Sequence, residues 1–286
     1  MVGTPFKMKR AGSVTRQQLA EMIEAIEFRR ASRPQASVPT GWGGTATAQT
    51  LARGVIHEWF GLTEAPEHFN AAKPRGNGRA NQWSPPLLVL THLAWRALET
   101  VEKTKERWVV WIGRRVWPHP RVLVRDEHGP DRLLLQQSLF VDPPDKAGRL
   151  WAIDLALRCP AVTAVVADGS RLRMGETRRV QLAAEQGRSL ALLARPPWEL
   201  KQLSAAVTRW HVLRAPSPDS RPRWMIELMR CKGVQQLAAR KAVSYSILEW
   251  DRAKGRVRPS AQVVDQPDPA TASPWQVSHG AVRRTG

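Results

Sequence analysis

Arg149-Leu-Trp-Ala-Ile-Asp-Leu-Ala-Leu-Arg158 is followed, three residues later, by Val162-Thr-Ala-Val-Val-Ala-Asp168. In the first stretch Leu150, Ile153 and Leu157 recur at three- and four-residue intervals, the period that keeps apolar side chains on one face of a helix. The second is an uninterrupted apolar run ending in a carboxylate, too short for a helix and suited to a strand buried on both faces. A helix that feeds a buried strand, which then delivers an acid at its C-terminal tip, is the layout of a parallel α/β sheet. Ligands bind such sheets beyond the carboxyl ends of the strands.

Working outward, the same alternation recurs. Toward the N-terminus, 54–60 and 108–112 read as strands and 87–103 has helical spacing; Leu133-Leu-Leu135 reads as a third strand. Toward the C-terminus, 176–185 reads as a helix closed by Gly187, and 189–194 as a strand stopped by Pro196-Pro197. Runs at 207–213 and 224–229 look like the last two strands. Strands alternating with helices predict right-handed crossovers and a mostly parallel sheet flanked by helices. The late strands follow one another with no room for a helix, which predicts an antiparallel edge. Thr15-Arg-Gln-Gln18 has the pattern of a capping box ahead of a helix ending near Arg30. The expected organisation is an N-terminal helix and linker (1–37), a core (38–233) with a polar, flexible insertion (61–86), an extension (234–258) and a disordered tail (259–286).

Composition narrows the function classes. Among 286 residues, 44 Lys and Arg face 25 Asp and Glu, a net charge of +19, which points to nucleic acid or another polyanion. Two cysteines without a CxxC spacing and seven histidines without HExxH argue against a disulfide scaffold or a zinc site. His57, alternating with apolar neighbours, reads as a structural residue. The 13 tryptophans lie singly in apolar segments, Trp95, Trp108, Trp111 and Trp151 among them, as core or rim residues do. No run of 18 apolar residues suggests a membrane span, and the N-terminus lacks the apolar core of a secretion signal, so a cytoplasmic protein is expected.

The order of motifs resembles the RecA-like fold and, within it, the ImuA family of mutasome accessory proteins. The resemblance starts at Pro39-Thr-Gly-Trp42 and runs through Arg53-Gly-Val-Ile-His-Glu58, Trp108-Val-Val-Trp-Ile112 and Leu150-Trp-Ala-Ile-Asp-Leu-Ala-Leu157. It continues with Arg178-Arg-Val-Gln-Leu-Ala-Ala-Glu185, Leu192-Leu-Ala-Arg-Pro196 and Glu227-Leu-Met-Arg-Cys-Lys-Gly233. It implies an adaptor in bacterial SOS translesion synthesis. The implied partners are an inactive Y-family polymerase homologue, an error-prone polymerase subunit and RecA.

The catalytic parts of a RecA-like ATPase are missing from the sequence. A phosphate loop needs glycines to wrap the phosphates, then Lys-Ser/Thr for charge and Mg²⁺. After Gly61, residues 62–70 hold neither glycine nor lysine, and Gly76-Asn-Gly-Arg79 lacks the Lys-Ser/Thr pair. Where an acid would activate water, the 108–112 strand runs into Gly113-Arg114-Arg115. Asp168 therefore reads as a vestigial Walker B position, and no enzyme, metal or cofactor is expected. Two alternatives stand beside the adaptor: an ATPase whose phosphate loop is displaced to Gly76, and a SulA-like cell-division inhibitor. Arg171, Arg173, Arg178 and Arg179, after the Asp168 strand, are candidate contacts to DNA phosphates. Ile247, Leu248 and Trp250 with Arg252, Arg256 and Arg258 form either an edge hairpin or a docking segment, and the resemblance favours docking.

Overall fold

The computed structural model describes residues 36–42, 46–62, 83–101, 107–123, 133–217, 221–232, 245–252 and 254–260. All of them but Ala36 lie in the unit that begins at Ser37. The expected N-terminal helix, most of the 61–86 insertion and nearly all of the 259–286 tail fall outside the described residues.

In chain order the elements are β1 (Ser37–Pro39), α1 (Ala46–Gln49), β2 (Thr50–Ala52), β3 (Ile56–Phe60), α2 (Leu87–Glu99) and β4 (Trp108–Ile112). Next come α3 (Pro120–Leu123), α4 (Leu133–Gln136), β5 (Ser138–Val141), α5 (Lys146–Arg158), β6 (Val162–Asp168), α6 (Met174–Gly187) and β7 (Leu190–Arg195). The chain then runs through β8 (Thr208–Arg214), β9 (Arg223–Cys231), β10 (Tyr245–Asp251) and β11 (Arg256–Pro259). β1 and β2 form a small antiparallel pair. The other nine strands make one sheet in the order β11-β10-β9-β8-β3-β7-β6-β4-β5. From β8 to β5 every neighbouring pair is parallel, and β9, β10 and β11 add on antiparallel. The expected mixed sheet with an antiparallel edge is the one observed.

Two apolar layers sandwich the sheet. One is built on α2, whose Val89, Leu90, Leu93, Ala94 and Ala97 meet Trp59, Trp111, Val166 and Leu192. The other lies under α5 and α6, where Ile153, Leu157, Val180 and Ala184 meet Val110, Val165 and Leu193. All seven residues of β6 are buried, as its unbroken apolar run requires. No helix among the described residues is long and apolar enough to cross a membrane.

Three local readings change. Leu133-Leu-Leu135 is a helical turn rather than a strand: Leu134 is buried, Leu135 is exposed, and the Ser138 hydroxyl donates to the Leu134 carbonyl, so the strand starts at Ser138. Gly187 does not supply the left-handed residue that ends α6, which is Arg188 at φ 53°. A Cβ on Gly187 would lie 1.8 Å from the Leu157 carbonyl oxygen, so the glycine lets α6 close against the end of α5. Trp151 is 60% exposed on α5 rather than part of the core.

The 245–259 segment is not a separate extension. It is the sheet's outer hairpin, with Ile247 opposite Met225 and Leu248 opposite Trp224. Leu248 is fully buried in the α2 layer, which removes it from a docking surface, and Trp250 packs half-buried against the same layer. Arg258 pairs with Glu249 and Asp251, and Arg256 reaches Glu99 at the end of α2. Leu248→Ala is accordingly expected to cost about 2–3 kcal/mol, read by urea denaturation. An unchanged midpoint would return Leu248 to the surface.

Candidate functional site

The ends of β4, β6 and β7 open onto a cleft of about 490 Å³. Asp168 closes β6 at its floor and is 7% exposed. Its Oδ1 accepts the Ser170 backbone N–H at 2.9 Å. Its Oδ2 accepts Nη1 of Arg149 at 3.3 Å and lies 3.9 Å from Nε of Arg115. Both oxygens of the acid are thus engaged, one by main chain and one by two guanidinium groups.

Each partner is positioned by local rules. Asp145 caps α5, accepting the Gly148 N–H at 2.7 Å, so the helix starts a turn earlier than the apolar spacing alone suggests. Arg149 then falls on the same stripe as Ile153 and Leu157, facing the sheet, and its Nη2 also donates to the Ser170 carbonyl at 2.8 Å. After β4, Gly113 adopts φ 91°, a turn open to glycine, and Arg114–Val116 form a 3-10 turn. This swings Arg115 toward Asp168 and over the Trp83 ring, 5.1 Å from its centre. Arg114, its neighbour, pairs instead with Asp142 at 2.6 Å.

Behind the cleft lies a buried ionic cluster. Glu58, in the middle of β3, is fully buried. Its Oε1 accepts Nη1 of Arg195 at 2.7 Å and the Ser204 hydroxyl at 2.6 Å, and its Oε2 accepts Nε of Arg209 at 2.8 Å. Arg195 also donates two bonds to Glu199, at 3.0 and 2.7 Å, and one to the Leu172 carbonyl. Two acids and two bases share the cluster, so the charge sums to zero. Burial alone would pull the Arg195 guanidinium down, but Glu58 and Glu199 outweigh it and hold its pKa above the usual arginine value. Arg209, with the larger share of its cost from burial, is held below that value. Glu199 reaches further: its Oε1 accepts the backbone N–H of Arg171, which stands at φ 62°. The loop after β6 and the loop after β7 are therefore tied to one buried group.

The four arginines after Asp168 have different surroundings. Arg171 lines the cleft, and Arg173 begins α6, its N–H held by Glu176 at 2.7 Å. Arg179 is taken by Asp154 of α5 at 3.3 Å, which leaves it a structural tie between helices. Arg178 leaves α6 exposed, away from the cleft. His57 is structural, as expected: its Nε2–H donates to the Ala52 carbonyl and its Nδ1 accepts from Thr208, whose hydroxyl oxygen also takes the Trp210 indole N–H. No cluster of three or more His, Cys, Asp or Glu able to hold a metal occurs among the described residues. The Gly76 loop of the ATPase alternative lies outside them.

Arg149, Trp83 and the Glu58–Arg195 pair do not emerge from motif reading. A different signal marks three of them. Arg149 is a charge on the apolar stripe of its helix, Glu58 a charge inside an apolar strand, and Arg195 a charge closing another. Charges at buried positions need partners.

No family model matches the chain. Among curated proteins, it is similar to Protein ImuA from two strains of Caulobacter vibrioides, NA1000 / CB15N and ATCC 19089. Each match is 32% identical over 145 residues, covering 44% of this chain and 56% of the relative. The chain thus spans about half the length of these relatives. Among solved structures it is similar to the RadB recombinase, with a TM-score of 0.51 at 11% identity, over 78% of this chain and 99% of that one. The fold is RecA-like, a mostly parallel sheet flanked by helices with an antiparallel edge.

Proposed function

We propose that the chain is a non-hydrolysing RecA-like adaptor of bacterial DNA repair in the cytoplasm, acting in SOS translesion synthesis. It would bridge a Y-family polymerase-like protein, an error-prone polymerase subunit, RecA or DNA. The similarity to ImuA supports the repair setting. One observation carries the non-hydrolysing part: the acid at the end of β6, where a RecA-like ATPase needs a free carboxylate for Mg²⁺, has both oxygens occupied by Arg149, Arg115 and the Ser170 N–H. A magnesium ion would have to displace a guanidinium from a mostly buried carboxylate and then face the same positive charge. The opposite strand end, Gly113-Arg114-Arg115, adds cations where a base would be needed.

Calorimetry with a non-hydrolysable ATP analogue, with and without Mg²⁺, tests this reading. The expected result is no magnesium-dependent heat and no turnover of ATP. A micromolar Kd that requires Mg²⁺ and disappears in Asp168→Ala would overturn the adaptor in favour of an ATPase.

A further inference from the structure

Three cations, one from α6 and two from the end of β9, meet on the face of the sheet that α6 covers. Arg209 of β8 and Arg230 of β9 are directly opposed in the antiparallel pair, so their side chains leave the sheet on the same face. The charge of Arg209 is used by Glu58 at 2.8 Å. Among the described residues Arg230 has no such partner, and like charges directly opposite each other in a sheet are unfavourable. Lys232, two residues further and on the same side, sends its Nζ to the Ala205 carbonyl at 3.0 Å. The N–H of the same Ala205 is donated to the Thr177 hydroxyl at 3.0 Å, which brings the first turns of α6, and Arg178 with it, to the end of β9. Burial first, then Arg230 and Arg178, depress the Lys232 ammonium below the ordinary lysine value. No carboxylate lies within ion-pair distance of Arg178, Arg230 or Lys232 among the described residues.

Their place differs from that of the cleft. The Lys232 N–H bonds the Val207 carbonyl, and the Val207 N–H bonds that of Ile56, where β3 begins. Asp168 and Arg195 stand at the far ends of their strands. The cluster is thus outside the site where a RecA-like fold keeps its nucleotide.

We infer that Arg178, Arg230 and Lys232 form a surface that binds the phosphate backbone of nucleic acid. Uncompensated cations from a helix and a strand end offer several separate donors, which suits a chain of phosphates spaced along a backbone rather than one small anion. A net charge of +19 supplies the long-range attraction. Bound phosphates would relieve the repulsion that the free protein carries at this point. The inference rests on the proposed DNA role and locates its contacts, moving them from the cleft-side Arg171 and Arg173 to Arg178 and two residues from beyond the β6–α6 loop.

Anisotropy of a labelled single-stranded 20-mer, titrated with the full chain across salt, tests it by comparing wild type with Arg178→Gln/Arg230→Gln. With about 0.7 of a counterion released per single-strand phosphate, the slope of log affinity against log salt is expected to become shallower by about 1.4. The melting temperature should hold or rise, since the variant removes an opposed like-charge pair. An unchanged slope in this variant, with a loss in Arg171→Gln/Arg173→Gln instead, overturns the surface while the DNA role survives. Polyglutamate competing as well as an unlabelled 20-mer would also overturn it, in favour of an acidic protein partner. Wild type that binds no DNA at 50 mM salt overturns both the surface and the DNA part of the proposed function.

Discussion

Replacing Arg195 with methionine is expected to destabilise the protein by about 3–5 kcal/mol, a large share of the 5–15 kcal/mol that holds a typical domain together. The side chain is fully buried and bonds Glu58 and Glu199 at once. Methionine fills similar space but leaves Glu199 without its guanidinium and Glu58 with Arg209 alone. For a domain of this size the melting temperature should fall by roughly 10 °C. One feature separates this from loss of packing: the Arg171 loop should loosen, because Glu199 also holds its backbone N–H, and amide exchange at 169–173 should speed up beyond that of β6. A variant as stable as wild type at neutral pH would show that the cluster contributes no net stability.

The second large effect is acid lability. His57, His92 and His211 are buried, and each has its pKa lowered from 6.5 to about 4. Burial is the leading cause in all three. At His57 the Ala52 carbonyl opposes it in part; at His92 the Thr40 carbonyl opposes it, while Arg96 and Arg256 reinforce it. In the unfolded chain the same residues protonate near pH 6.5. Below that value the unfolded state takes up protons that the folded state refuses, so stability present above pH 6.5 is lost as pH falls toward 4. Each histidine contributes up to roughly 3 kcal/mol to that loss. Glu227, raised by burial, works the other way, but as one group against three. The urea midpoint should therefore drop steeply between pH 7 and 5, above the range where ordinary carboxylates titrate. A midpoint that stays flat across that interval would mean that the three imidazoles are not held neutral by the fold.

Much of the sheet was legible because its strands are buried on both faces. Val162–Asp168 and Trp108–Ile112 announce themselves as unbroken apolar runs, and their observed bounds coincide with those runs. Leu133-Leu-Leu135 misled for the same reason: three leucines look like a buried strand, although one of them is enough to anchor a helical turn. Ile247, Leu248 and Trp250 were visible as too apolar for a free tail. Sequence left their destination open because an edge strand and a docking segment require the same pattern. Asp168 was legible as the acid closing a strand. Its neutralisation was not, since Arg149 lies 19 residues away and Arg115 is turned toward it only by the positive φ of Gly113. The two arginines of the further inference illustrate the limit: Arg178 was legible as exposed charge, whereas Arg230 matters only through register, being opposite Arg209.

The strand order also governs when the protein can fold during synthesis. β3 is complete by residue 60, yet its two neighbours in the sheet are β7 and β8, and its His57 meets Thr208 across 151 residues. At about 5–20 residues per second, a ribosome needs roughly 8–30 s to make that stretch. Until then Ile56, Trp59 and Phe60 have no flanking strands and Glu58 has neither arginine. The nascent chain thus carries an unpaired apolar strand with a buried-type acid through most of its translation, a state open to chaperone capture and to misassembly. Pairing of β3 then has to wait until β8 is made, as expected for a sheet closed by its most distant contacts.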